Sequence, residues 1–104
     1  MFHITPSRNL SSIMKYGLQP NNIKRGKFAA DNEPAIYLFK TVEDAEDGVM
    51  NWLGDLYDET ERLALLSVKV DSASIKQDPE LELSAYITRT PIAPENITVL
   101  SKDI

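Results

Sequence analysis

The sequence predicts a single α+β domain spanning residues 1–104, and three observations carry that expectation. Apolar residues recur at helical spacing in two stretches and run continuously or alternate in several short others. Proline, glycine or a capping residue closes most of these stretches. The chain has 104 residues, 42% hydrophobic and 26% charged, which suffices for one core. The pattern amounts to about five strands and two main helices.

Met1–Thr5 reads as a short strand that Pro6 ends, because proline brings no ladder donor. Ser7 is placed to cap a helix whose apolar face is Leu10, Ile13 and Met14. Gly17 ends that helix, since glycine accepts the left-handed backbone of a C-terminal cap, and Leu18 and Pro20 follow as a stop. Gln19–Pro34 is a long polar loop, a kind of segment often functional in small domains. Ala35–Phe39 is the longest apolar run and a buried strand. Thr41 caps the next helix, with Asp44 three residues on and Val42, Ala45, Val49, Trp52, Leu53 and Leu56 on one face. Gly48 and Gly54 weaken that helix by about 1 kcal/mol each. Leu63–Val70 is a central strand and Asp71–Glu80 a polar connection. Leu81–Thr90 alternates, placing Leu81, Leu83, Ala85 and Ile87 on one face. Pro91 and Pro94 interrupt it, and Ile97–Leu100 is the last strand.

Several classes are excluded at this level. There is no cysteine, so neither a disulfide nor a thiolate metal site forms, and a lone His3 argues against a histidine-rich metal centre. No apolar run approaches the roughly 18 residues of a membrane span, and no signal-type apolar segment opens the chain. The expected compartment is the cytoplasm. Walker and dinucleotide-binding glycine loops are missing.

Charge is unevenly placed. Residues 1–30 hold Arg8, Lys15, Lys24, Arg25 and Lys27 and no acid, a charge of +5, so the remainder carries −5 − 5 = −10. A basic segment of this kind can meet an anion such as a phosphate. Val42–Glu61 holds eight acids and no Lys or Arg. It reads first as a solvated helix face and second as a docking surface for a basic partner. Net acidity counts against broad electrostatic binding of nucleic acid but leaves room for a local basic groove.

Single residues carry little. A lone strand histidine such as His3, or a Tyr37 in an apolar strand, reads by itself as structural. The order of the pieces says more. Phe2-His3-Ile4-Thr5, Asn9–Leu18 ending in Gly-Leu, Ala35-Ile36-Tyr37-Leu38-Phe39, Glu43-Asp44-Ala45, Leu63–Val70, Ala85-Tyr86-Ile87-Thr88 and Ile92–Ile97 follow one another over nearly the whole chain. This succession resembles the ADP-ribosyltransferase superfamily of the diphtheria-toxin and PARP type, with DarT-like toxins nearer in style. The resemblance implies a small split β-sheet core around an NAD pocket. His3 would orient the nicotinamide ribose, Ile4 would hold the carboxamide through its backbone with Thr5 beside it, and Tyr37 would stack on the nicotinamide ring. Lys24, Arg25 and Lys27 would meet the pyrophosphate. The position of the family's catalytic glutamate falls on Ala85, which leaves Glu82, of opposite strand parity, as the candidate acid.

The resemblance thus implies an NAD-binding mono-ADP-ribosyltransferase-like protein that uses NAD as substrate and a protein or nucleic acid as acceptor. The alternative is a pseudoenzyme of the same fold, a nucleotide- or protein-binding inhibitor or accessory module of phage or mobile-element type. A nucleic-acid modifier is a third reading, and it needs the basic residues of 8–27 to form one groove. No membrane partner is expected.

Overall fold

A computed structural model describes residues 1–20, 35–50, 60–77 and 86–103. Within them lie β1 (Phe2–Pro6), α1 (Leu10–Tyr16), β2 (Ile36–Leu38), α2 (Val42–Gly48), β3 (Leu63–Val68), β4 (Ile75–Gln77), β5 (Tyr86–Thr88) and β6 (Ile97–Ser101). They form a small α+β domain with two antiparallel three-stranded sheets, ordered β1-β3-β6 and β2-β5-β4.

Leu63–Val68 is apolar at five of its six positions and is buried at the same five, because elements lie on both of its faces. Leu66 and Val68 join Ile13, Leu18, Ile36, Leu38, Ile92 and Ile97 on one side. Leu63 and Leu65 join Ile4, Phe39 and Ala45 on the other, with Phe2, Val42 and Val49 packed around them. Helix α1 therefore serves one face of the first sheet and α2 the opposite face.

The cap of α2 forms as the sequence specifies: the Asp44 N–H donates to Thr41 Oγ1 at 3.0 Å. Among the described residues its helical bonding begins at Val42, and the expected continuation through Trp52, Leu53 and Leu56 lies outside them. Gly48 has a packing reason. A Cβ there would stand 2.7 and 2.8 Å from Cζ and Cε1 of Phe39, which is fully buried. Gly48→Ala is expected to destabilise the domain by about 1 kcal/mol, because overpacking outweighs the small propensity gain at a helix end. Thermal unfolding checks this, and a raised midpoint would show that the Phe39 ring gives way freely.

The other helix starts differently from the expectation. Ser7 does not cap α1. Residues Ser7–Asn9 form a 3-10 turn, and the Ser7 hydroxyl donates instead to the Lys102 carbonyl, tying the end of β1 to the end of β6. Gly17 does end the helix, its N–H donating to Ile13 O at 2.7 Å. Its ψ of −176° with φ of 84° is extended rather than helical, so the chain runs straight on into a bridge between Leu18 and Ile92.

Two further expectations are corrected. Ile75–Gln77, inside the supposed polar connection, is strand β4, with Ile75 packed against the larger core. On β5 the inward face is Tyr86 and Thr88, not Ile87. Thr88 is 2% exposed because it lies between Ile36 and Ile75 at the centre of the second sheet. Its hydroxyl accepts from the Thr90 N–H at 3.2 Å, which makes burial tolerable. Strand β6 runs to Ser101 and carries one extra residue, Leu100, opposite the Leu65–Leu66 step. No helix among the described residues is long and apolar enough to cross a membrane.

Candidate functional site

The two sheets meet at one backbone pair. The Phe2 N–H donates to Phe39 O and the Phe39 N–H donates to Phe2 O, each at 2.8 Å. A strand residue aims both of its backbone groups the same way, and the direction alternates along the strand. Phe2 and Ile4 therefore aim theirs toward β2, and Tyr37 and Phe39 aim theirs toward β1. An unbroken ladder would next join Ile4 to Tyr37. That bridge is absent: among the described residues the ladder between the strands stops at Phe2 and Phe39.

His3 explains the stop. Its Nδ1 lies 2.7 Å from the Tyr37 carbonyl oxygen. The imidazole takes the bond that the Ile4 N–H would otherwise make, and the strands part around the ring. Among the described residues neither backbone group of Ile4 has a partner beyond β3, and parity aims both into the parting. An amide N–H and a C=O side by side match a ligand amide, which donates and accepts in the same plane.

A carbonyl oxygen only accepts, so Nδ1 carries the proton. In neutral His3 the lone pair therefore sits on Nε2, which has no hydrogen-bond partner among the described residues. Burial lowers the His3 pKa below the ordinary 6.5, and the bond to Tyr37 opposes that shift only in part. The ring is thus neutral at pH 7. Protonation is harder in the folded chain than in the unfolded one. As pH falls, the unfolded chain takes up the proton first, so this group's contribution to stability is complete above about pH 7 and declines as pH drops through about 6.5. Urea titrations from pH 7.5 to 5.5 are expected to show that decline in the wild-type chain and a flatter profile in His3→Asn. Equal slopes would mean the ring is not desolvated.

The remaining expected site residues divide cleanly. Thr5 sits on the same face as His3 and is 5% exposed, and its hydroxyl has no hydrogen-bond partner among the described residues. Tyr37 is brought to His3 through its backbone, but the residue is 8% exposed. Ile4 is 2% exposed. His3 alone of the four keeps intermediate exposure. A ligand ring reaches Tyr37 only after whatever covers it moves. Lys24, Arg25, Lys27, Glu82 and Ala85 lie outside the described residues. Of the basic residues in the first segment, Arg8 is committed to Glu61, with Nη1 2.8 Å from Oε2, and Lys15 lies 5.3 Å from the centre of the exposed Tyr16 ring. No sequence signal marks that the β1–β2 ladder stops at Phe2 and Phe39.

No protein-family model matches the chain, and neither curated proteins nor solved structures yield a match.

Proposed function

We propose that the chain is an NAD-binding protein of the ADP-ribosyltransferase type, with a split β-sheet core, that transfers ADP-ribose to a macromolecular acceptor. The observation that carries this reading is the His3–Tyr37 contact at the parting of β1 and β2. It joins the two residues that the resemblance pairs across 34 positions of chain. Past the Phe2–Phe39 bridge, strand parity turns the Ile4 N–H and C=O toward β2, where a carboxamide would be held. In this reading His3 orients the ribose, Ile4 holds the amide, Tyr37 stacks on the ring once uncovered, and Lys24, Arg25 and Lys27 meet the pyrophosphate. Glu82 is the acid to test first.

A second reading is favoured by two specific facts: alanine at position 85 and the burial of Tyr37. Alanine carries no charge, and loss of one electrostatic group in a catalytic site costs on the order of 10²–10³ in rate. On this reading the protein holds a nucleotide or a protein partner without turning anything over.

A proton NMR time course of the pure protein with NAD separates the two. Growth of free nicotinamide supports the transferase. Shifted NAD resonances without nicotinamide support the holding module. Unchanged spectra would remove the nucleotide from both.

A further inference from the structure

We infer that the seam between β1 and β2 is an acid-sensitive joint: a proton taken up by His3 parts the two strands there before the rest of the fold gives way. The joint works in this way whatever the protein binds.

The seam is thinly bonded. β1 and β3 pair through five consecutive residues, from Phe2 to Pro6. Among the described residues, β1 and β2 share one backbone bridge, the two 2.8 Å bonds between Phe2 and Phe39, and the 2.7 Å contact of His3 Nδ1 with the Tyr37 carbonyl. Apolar packing also crosses the seam: Phe39 lies with Ile4, and Ile36 and Leu38 lie with Leu66 and Val68. Neither that packing nor the backbone bonds titrate. His3 does, since histidine is the side chain whose ordinary titration falls between pH 5 and 8, and the chain has one. Acid therefore acts on the strands beside the ring, while the packed clusters still hold the two sheets together.

A second proton would not break the bond to Tyr37, because Nδ1 donates in the neutral and the charged ring alike. It would put a positive charge into the seam, where little answers it. His3 pairs with Leu66, β3 has no ionisable residue from Leu63 to Val68, and Lys69 beyond it is exposed. From β2 the titratable group is Tyr37, with Lys40 exposed beyond it. Helix α2 carries Glu43, Asp44, Glu46 and Asp47, but it packs with Phe2 and Ile4 on the opposite face of β1. On the face of His3, β5 brings Tyr86, and the Lys15 and Tyr16 of α1 are exposed. Arg8 is tied to Glu61, β6 has no ionisable residue, and the Met1 ammonium is turned to Val68 O at 3.2 Å. Among the described residues no carboxylate makes an ion pair with the ring, and burial lowers its pKa. Parting the strands admits water to the ring and lifts that penalty. The parted form takes the proton near pH 6.5 and the closed form only at lower pH, so parting is favoured as pH drops through about 6.5. Between pH 7.5 and 5.5 the gain reaches about ten-fold.

Native-state hydrogen exchange of the full chain, followed by NMR at low urea and corrected for intrinsic rates, reads the parting directly. The Phe39 N–H, bonded to Phe2 O, reports on the seam. The Lys69 N–H, bonded to Asn96 O, and the Leu18 N–H, bonded to Ile92 O, report on the rest of the fold. Phe39 is expected to exchange through an opening with little urea dependence that is about ten-fold more frequent at pH 5.5 than at pH 7.5. Lys69 and Leu18 are expected to exchange only through urea-dependent unfolding. In His3→Asn, whose amide keeps a donor for Tyr37 O and does not titrate in this range, the Phe39 opening is expected to be equal at both pH values. One urea dependence shared by all three amides would mean that the seam parts only with the whole fold, and would overturn the inference. So would a Phe39 opening that ignores pH in the wild-type chain, or the same acid gain in His3→Asn. Should that variant not fold, a nitrogen NMR titration of the single histidine in the wild-type chain decides instead. A pKa below 6.5 supports the joint, and one at or above 6.5 overturns it.

Discussion

Gly17→Ala is expected to cost the domain about 3 kcal/mol or more, a large part of the roughly 5–15 kcal/mol that holds a chain of this size together. The backbone at Gly17 has φ 84° and ψ −176°, a combination open to glycine and to almost nothing else. Strain alone accounts for about 1–3 kcal/mol. The added Cβ would also run into the Ile92 carbonyl oxygen and come within 3.2 Å of Pro94 Cδ. That carbonyl accepts the Leu18 N–H at 2.9 Å, and the Ile92 N–H returns a bond to Leu18 O at 3.0 Å. The clash cannot be relieved without loosening this pair, and both side chains belong to the larger core cluster. Urea unfolding of the variant checks the value. A midpoint within error of the wild-type chain would mean that the turn does not need glycine.

The contrast between Gly17 and Ser7 shows what the sequence can and cannot say. Gly17 is legible because the need for it is local: a helix must end, and few residues permit the end. The Thr41 cap is legible for the same reason, since its partner, Asp44, is three residues away. Ser7 has the residue type of a cap but bonds to Lys102, 95 positions along the chain, and no local pattern announces that. Strand β3 is legible because burial on both faces writes a continuous apolar run. Strand β4 is not, because only Ile75 of its three residues is apolar, and cross-strand pairing with β5 decides the rest. The same pairing turned Thr88 inward in place of Ile87. At the site, the identities of His3 and Tyr37 stand out only through the order of the surrounding motifs. Their contact depends on where a ladder stops, and that is set by packing between two sheets rather than by either strand.

If the chain is the proposed NAD-using transferase, His3→Ala is expected to reduce nicotinamide release by about 10²-fold or more, and NAD affinity with it, because the variant loses the imidazole beside Tyr37. It is also expected to lose stability. The bond from the imidazole to the Tyr37 carbonyl would be lost, at a cost of about 1 kcal/mol. A drop in activity alone would therefore not tell a binding role from a structural one. His3→Asn separates them, because its amide can still donate to Tyr37 O while nothing stands where Nε2 stood. If both roles are real, the asparagine variant recovers the unfolding midpoint but not NAD affinity or turnover. Recovery of all three would reduce His3 to a clasp between the sheets. Unchanged turnover in His3→Ala would remove the parting of β1 and β2 as the site of chemistry altogether. Should the wild-type chain bind NAD without cleaving it, the same comparison runs on affinity alone.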